Sequence, residues 1–493
     1  MVRRPTLHDV EVVDDDELDP NPAPSAAPAR RRHRRALTAG AAVLAVLVTG
    51  AVAAQVVADR REDARIAAIA ALPGAVAPLA GPPQVLWETA RDRQFGVDAR
   101  AADGTLVGVR ASTEGPVLVV GRDPRTGDVV WEVELVDGTT RPAPDSVPGE
   151  LVATSGACAG LPREEHQVVC LVHDGMAVVD DDGWQTVPST VARVVLLDTR
   201  DGSVAADLSE ALVPTSASAL AVVGDLVLTT AGPGARVRAV TTDGARRWDL
   251  PAPGATTAED AYVQATALDD LIAIVTPTVV RLVDATGRPV RDVPVPDGLA
   301  PSWWLDGVVL LVPEFDEGAT DGTSVEARGG VVRPEGVVEL TGDPVGVDLD
   351  DGSVPGLVLT SDGGALQGWG GDGRRLWSAA VAAPWGAILL DGRLHFTSGA
   401  TLVTLDARTG EELWRSDATT TSVVTDGRHL LTLVEPTRGE AGPQLVALDP
   451  VDGSERWRSA LPDGTDSLES YLHLLIAAAH DETTGTTRVR VLG

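Results

Sequence analysis

The feature that most restricts the fold of this chain is a phrase that it repeats. LDARTGEELWRSD (Leu405 to Asp417) has close copies in GRDPRTGDVVWEV (Gly121 to Val133) and LDPVDGSERWRSA (Leu448 to Ala460). In each, a Gly follows an Asp by four residues and a Trp follows the Gly by four. The position four after the turn glycine is Trp131 (Gly127), Ala206 (Gly202), Trp248 (Gly244), Arg291 (Gly287), Trp377 (Gly373), Trp414 (Gly410) and Trp457 (Gly453). Most steps fall near forty residues, which is room for four short strands.

The local chemistry supports strands. A run such as TLVTLD ends at Asp406, whose carboxylate can accept from backbone N–H groups two residues on. Gly410 supplies the left-handed conformation that a hairpin with a bulge requires, and Asp123 with Gly127 and Asp449 with Gly453 repeat the arrangement. In the following strand, alternation puts Leu413 and Arg415 on the face opposite Trp414. An indole recurring there is a packing knob between neighbouring sheets, with an N–H that needs a partner. Two steps are long. Between Trp131 and Ala206 an insertion is expected to hold both cysteines and the run Asp180-Asp181-Asp182. Between Arg291 and Trp377 there is room for a degenerate unit turning at Gly336, with Leu340 at the Trp position.

The chain ends sharpen this. TTRVRVLG (Thr486 to Gly493) is like the strand before the turn, and PQVLWET (Pro83 to Thr89) is like the strand after it, with Trp87 at the Trp position. One unit is thus split between the two ends, which is how a closed ring avoids exposed sheet edges.

With Asp406, Thr409, Gly410 and Trp414, and with Asp123, Thr126, Gly127 and Trp131, the repeat resembles the PQQ-like β-propeller repeat, Ala/Leu-x-Asp-x-x-Thr-Gly-x-x-x-Trp. The resemblance covers about residues 83–493. It implies an all-β fold of four-stranded antiparallel blades, eight in number, within a range of seven to nine. It says little of function, because the motif is the structural part of the family. Members that bind pyrroloquinoline quinone are dehydrogenases with a Ca²⁺ held by Glu, Asn and Asp, an Asp base and often a vicinal disulfide. Here the only Asn is Asn21, Lys is absent, and Cys158 and Cys170 stand twelve apart. These departures argue against an enzyme; no catalytic residue, cofactor or metal is assigned. A divergent quinoprotein dehydrogenase is the alternative. Non-catalytic members serve in outer-membrane assembly and as sensor domains, so the resemblance implies a binding, scaffold or sensor role.

Before the propeller, Ala36 to Ala58 runs 23 residues without a charge. As a helix it is about 34 Å long, against a bilayer core of about 30 Å. Arg30, Arg31, Arg32, Arg34 and Arg35 precede it, which places the N-terminus in the cytoplasm and the propeller outside. A cleaved signal peptide is the competing reading, since Ala51-Val52-Ala53 fits a small-x-small site. The expected organisation is a disordered tail (1–35), a membrane helix (36–58), a helical extension and linker (59–82) and the propeller (83–493). Export makes a Cys158–Cys170 disulfide the expected state. A net charge of −32 disfavours nucleic acid. The Ala/Arg-rich, lysine-free composition resembles that of actinobacterial proteins. The expected partner is a protein or a cell-envelope ligand, with the chain a monomer.

Other patterns are weak. His166, Cys170 and His173 lie close in sequence, but a loop beside a disulfide accounts for them. Asp348-Leu349-Asp350-Asp351-Gly352 lacks the spacing and distal Glu of a Ca²⁺ loop and reads as a tight turn. Trp303-Trp304 reads as core between blades, and Trp184 stands beside three Asp.

Overall fold

The structure, a computed structural model, describes residues 27–493 except 92–95, 114, 139–149, 155, 181–182, 188, 213–218, 232–235, 255–262, 306–307, 315–327, 383, 385, 436–441 and 482–485; residues 27–48 and some strand positions are described as backbone alone. It divides into two units, Met1–Ala64 and Arg65–Gly493. In the first, the described chain is helix; the helix Ala27–Ala70 crosses the boundary. No helix among the described residues is long and apolar enough to cross a membrane. The described side chains of this one begin at Thr49, so residues 36–48 of the apolar run lie outside them.

The second unit is all-β, built from antiparallel sheets of four strands in which sequence neighbours pair. Nine blades are formed among the described residues: 99–136, 156–207, 219–251, 264–294, 299–341, 343–379, 387–419, 420–460, and a ninth assembled from 467–492 and 85–91. The expected number was eight. The extra blade is the degenerate unit, 299–341, whose last strand Gly336–Thr341 carries Leu340 buried at the Trp position. The ninth blade closes the ring as expected: Val85–Arg91 pairs antiparallel with Thr486–Leu492, Trp87 opposite Val491.

Alternation explains why the strands read as continuous apolar runs. In the second blade Val168, Cys170 and Val172 face the first blade, while Val169 and Leu171 face the third. Every adjacent pair of blades shares such a core, and the circuit ends with Leu474, Ile476 and Val489 of the ninth blade against Val97 and Leu106 beside the first. Hydrophobic burial is therefore divided among nine sheet-to-sheet interfaces.

Five of the nine interfaces are indexed by an indole laid on the next blade's turn glycine. Trp377 lies on Gly410 of the next blade, where a Cβ would stand 2.7 Å from its ring. Its Nε1 donates to the Ala407 carbonyl at 2.9 Å. Trp131 does the same on Gly202 and the Thr199 carbonyl (2.6 Å), and Trp87 on Gly127 and the Pro124 carbonyl (3.0 Å). Trp248 on Gly287 and Trp414 on Gly453 follow, donating to Ala285 and Pro450. The turn itself is held by its Asp: Asp406 Oδ1 accepts from the N–H groups of Arg408 and Thr409, both at 2.9 Å, and Gly410 takes φ +71°. Blades without the Trp substitute for it. Leu208 packs near Gly244, Val338 reaches toward Gly373, and Arg291 donates to the Glu335 carbonyl.

The two cysteines are paired (S–S 2.02 Å). They do not sit in an insertion. Cys158 and Cys170 are direct cross-strand partners in the first two strands of the second blade. The inserted part is a separate sheet of Glu150–Ala153, Met176–Asp180 and Gly183–Val187. The side chains of Trp184, Trp303 and Trp304, and residues Asp181 and Asp182, lie outside what is described.

Trp457 differs from the other indoles. The blade after it is the split one, so no hairpin joins its last two strands; Gly493 and Gln84 exchange backbone hydrogen bonds there, both at 3.0 Å. Trp457 Nε1 is buried without a hydrogen-bond partner among the described residues. Removing an indole N–H therefore has different consequences at two repeats. Trp377→Phe loses a hydrogen bond and leaves the Ala407 carbonyl unpaired, whereas Trp457→Phe loses no hydrogen bond. Denaturant unfolding is expected to show Trp377→Phe as the more destabilising by about 1–2 kcal/mol; equal losses would refute the carbonyl's role.

Candidate ligand cleft

The segment that follows the helix is part of the propeller. Pro73 and the prolines beyond it mark a linker by composition, yet Ala75 and Val76 are fully buried. Ala75 bridges Thr425 in parallel, and Val76 N–H donates to the Thr425 carbonyl at 2.9 Å. Ser470 and Ala77 bond across to this segment and to His473. Arg65 pairs with Asp391 at 2.9 Å. Asp426, with no exposed surface, accepts from the N–H groups of Leu79 (3.2 Å), Arg428 (2.8 Å) and His429 (2.6 Å). Desolvation opposes that buried charge, but these donors and the His429 ring hold its carboxyl below the usual range.

A second irregularity meets the first. After the strand Asp343–Val345 the chain detours before reaching Val358–Ser361. The detour forms Val347–Asp350, which pairs in parallel with Ala387–Leu390, the first strand of the seventh blade. Alternation drives Leu349 into the core beside Ile69 and Ala75 and turns Asp348 the other way. This corrects the reading of Asp348 to Gly352 as one tight turn. Only its end is a turn, where Asp350 accepts from Gly352 N–H (2.8 Å) and Asp351 from Ser353 N–H (2.9 Å). Gly74 packs against the Asp348 carbonyl, where a Cβ would stand 1.9 Å away. The Asp348 carboxylate lies over Gly386 in equally close approach.

Between this detour, the fifth and sixth blades and the segment after the helix lies a cleft of about 410 Å³. Val308, Leu310, Val345, Val347, Leu357 and Leu359 make its walls mainly aliphatic, and Leu72 and Pro73 close one side. Three charged residues line it: Asp348, Asp350 and Arg333. Asp348 is exposed at the mouth, yet partial desolvation by the surrounding chain pushes its carboxyl up to about 6. Burial likewise raises Asp350, opposed by the Gly352 N–H and reinforced by Asp351. Arg333 Nε is buried without a hydrogen-bond partner among the described residues. A cleft of this size, mostly apolar with a few displaced polar groups, has the make-up of a small-ligand site.

None of the Asp, Gly and Trp residues of the repeat lines this cleft; the Asp carboxylates are engaged in their own turns, and the indoles except Trp457 between blades. His166 Nδ1 lies 3.1 Å from Asp103, and His173 accepts from Gly175 N–H, while Cys170 is in the disulfide. Among the described residues no three His, Cys, Asp or Glu are placed to hold a metal ion. The sequence reading missed Arg333 and the lining role of Leu72 and Pro73. The only signal was Asp348 and Asp350 in a stretch too polar for the strand it forms.

These features define a closed β-propeller with a cleft beside the chain's entry into the ring. A family model described as "Outer membrane protein assembly factor BamB" matches residues 346–480, from the detour to the ninth blade. No curated protein matches the chain. Among solved structures, BamB from Moraxella catarrhalis is 16% identical, covering 83% of this chain and 99% of its own, with a TM-score of 0.37. Quinohemoprotein alcohol dehydrogenase from Comamonas testosteroni is 12% identical, covering 86% and 79%, with a TM-score of 0.39. A eukaryotic initiation factor is 10% identical, covering 79% and 91%, with a TM-score of 0.43.

The displaced Asp348 carboxyl predicts a pH signature. Its folded pKa lies above its unfolded value, so the folded state holds the proton more tightly. Its contribution to stability falls as pH rises from the unfolded value of 3.8 to about 6. Asp348→Asn removes that loss. The variant is expected to melt at a higher temperature than the parent at pH 7.5, with the gap closing as pH falls from 6 to 4. A gap that stays constant with pH would contradict the assignment.

Proposed function

We propose that this chain is a non-catalytic binding propeller, a scaffold or sensor held at the cytoplasmic membrane by Ala36–Ala58 with its ring on the far side. The carrying observation is the cleft, an aliphatic recess with unpaired charges, one side of which is Leu72-Pro73 at the end of the helix. Occupancy of the cleft would thus bear on the segment that links the ring to the helix. Anchoring is supported by the uncharged run after five arginines, and by Val52, Val56 and Val57, which the helix leaves exposed (58%, 43% and 49%). Such a surface suits lipid better than water.

Two measurements test the reading. A reporter enzyme fused after Gly493, of a kind active only outside the cytoplasm, is expected to be active; activity of a cytoplasm-only reporter instead would overturn the orientation. The full-length chain with pyrroloquinoline quinone and Ca²⁺ is expected to show no dye-linked alcohol oxidation, and turnover would establish the dehydrogenase alternative. Crosslinking in native membranes followed by capture identifies the partner.

A further inference from the structure

Of the three charged residues that line the cleft, Asp348 and Arg333 are opposite in sign and do not pair with each other. Arg333 Nε is buried without a hydrogen-bond partner among the described residues, and Asp348 is exposed at the cleft mouth. Elsewhere in the ring arginines meet carboxylates: Arg236 with Asp249, Arg281 with Asp292 and Arg490 with Glu88, at 2.7–2.8 Å. A buried donor such as Arg333 Nε, left without a partner, costs stability, and a fold retains one where something else completes it. Here that donor shares a mainly aliphatic recess with the carboxylates of Asp348 and Asp350.

We infer that the cleft is the binding site of a small zwitterion with an aliphatic body, its ammonium on Asp348 and its carboxylate on Arg333. The guanidinium suits a carboxylate because its donors form a planar fork. The carboxylate over Gly386 presents acceptors only, and a protonated amine presents donors only. Val345, Val347, Leu357 and Leu359 leave nothing to bond a polar body, so an aliphatic one is selected. Gly386 has a part in this: a Cβ there would stand 2.0 Å from Asp348 Oδ2 and displace the carboxylate.

This inference rests on the binding reading above and fails separately from it. The detergent-solubilised full-length chain is titrated calorimetrically with leucyl-leucine, with N-acetyl-leucyl-leucine, which lacks the ammonium, and with leucyl-leucinamide, which lacks the carboxylate. The zwitterion is expected to bind saturably, and each blocked peptide about tenfold or more weakly, as for loss of one charged hydrogen bond. Asp348→Asn, which is isosteric, and Arg333→Gln, which shortens and neutralises the side chain, should each weaken binding of the parent peptide. Arg333→Gln should add no further loss for the amide, and Asp348→Asn none for the acetylated form. Equal binding of all three peptides overturns the zwitterion assignment and leaves the binding reading standing. No saturable binding of any of them overturns the assignment as well, while the crosslinked partner decides the broader reading by itself. Gly386→Ala is the positional check: it keeps both charges, and unchanged affinity would show that Asp348 does not make the contact.

Discussion

The contact on which the ring depends is an indole laid on the backbone of the next blade's turn. It needs three conditions at once. The turn must carry a glycine, because Trp377 occupies the space a Cβ at Gly410 would fill. The turn must expose a carbonyl toward the indole, which the Asp406 bonds arrange by holding Arg408 and Thr409 in place. The Trp must also find room in its own sheet, and Gly121 and Gly368, opposite Trp131 and Trp377 in the preceding strands, provide it. A Cβ at either glycine would lie 2.1–2.2 Å from the indole. Aliphatic packing holds adjacent sheets together without fixing their register; the indole-to-carbonyl bond supplies the direction that dispersion lacks.

That division explains which departures the ring tolerates. Arg291 has no indole, yet it still donates to the Glu335 carbonyl, so the directional part survives. Leu208 and Val338 keep the packing and drop the bond. Trp457 keeps the packing but faces the one blade with no closed turn, and its N–H is left over. The seam between Gln84 and Gly493 is closed instead by backbone pairing, which runs the length of Val85–Arg91. Ring closure by strand exchange and blade locking by indole are thus alternatives at this one interface.

Much of this was legible in the sequence because period, turn residues and strand alternation are all local. The spacing from Gly410 to Trp414 announces a blade, and VRVL at one end with VLWE at the other announces the seam. The degenerate fifth blade was harder to count because Gly336 and Leu340 keep the turn and the packing but not the indole. Cys158 and Cys170 were misplaced for a different reason: a long step in the period shows that residues are added, not where among the strands they go in. Docking of Ala75 and Val76 was hidden by the prolines around them, which mark a break in regular structure and are silent on what the backbone touches. Arg333 carries no local signal, since its meaning comes from Asp348 across a blade boundary.

The repeat and the cleft obey opposite rules. Within the repeat most of the turn and indole groups are satisfied by neighbours, Trp457 Nε1 being the exception. At the cleft the regular plan breaks twice, at the entering segment and at Val347–Asp350, and both breaks are anchored by close glycine contacts at Gly74 and Gly386. Anchored irregularity beside unpaired charge is what a site requires, because a ligand is bound tightly only where the groups that meet it are already held apart. The same breaks join the cleft to the helix: Leu349 on one side of the detour packs with Ile69 and Ala75, while Asp348 on the other lines the recess. A ligand that draws on Asp348 therefore pulls on the strand whose opposite face grips the end of the helix.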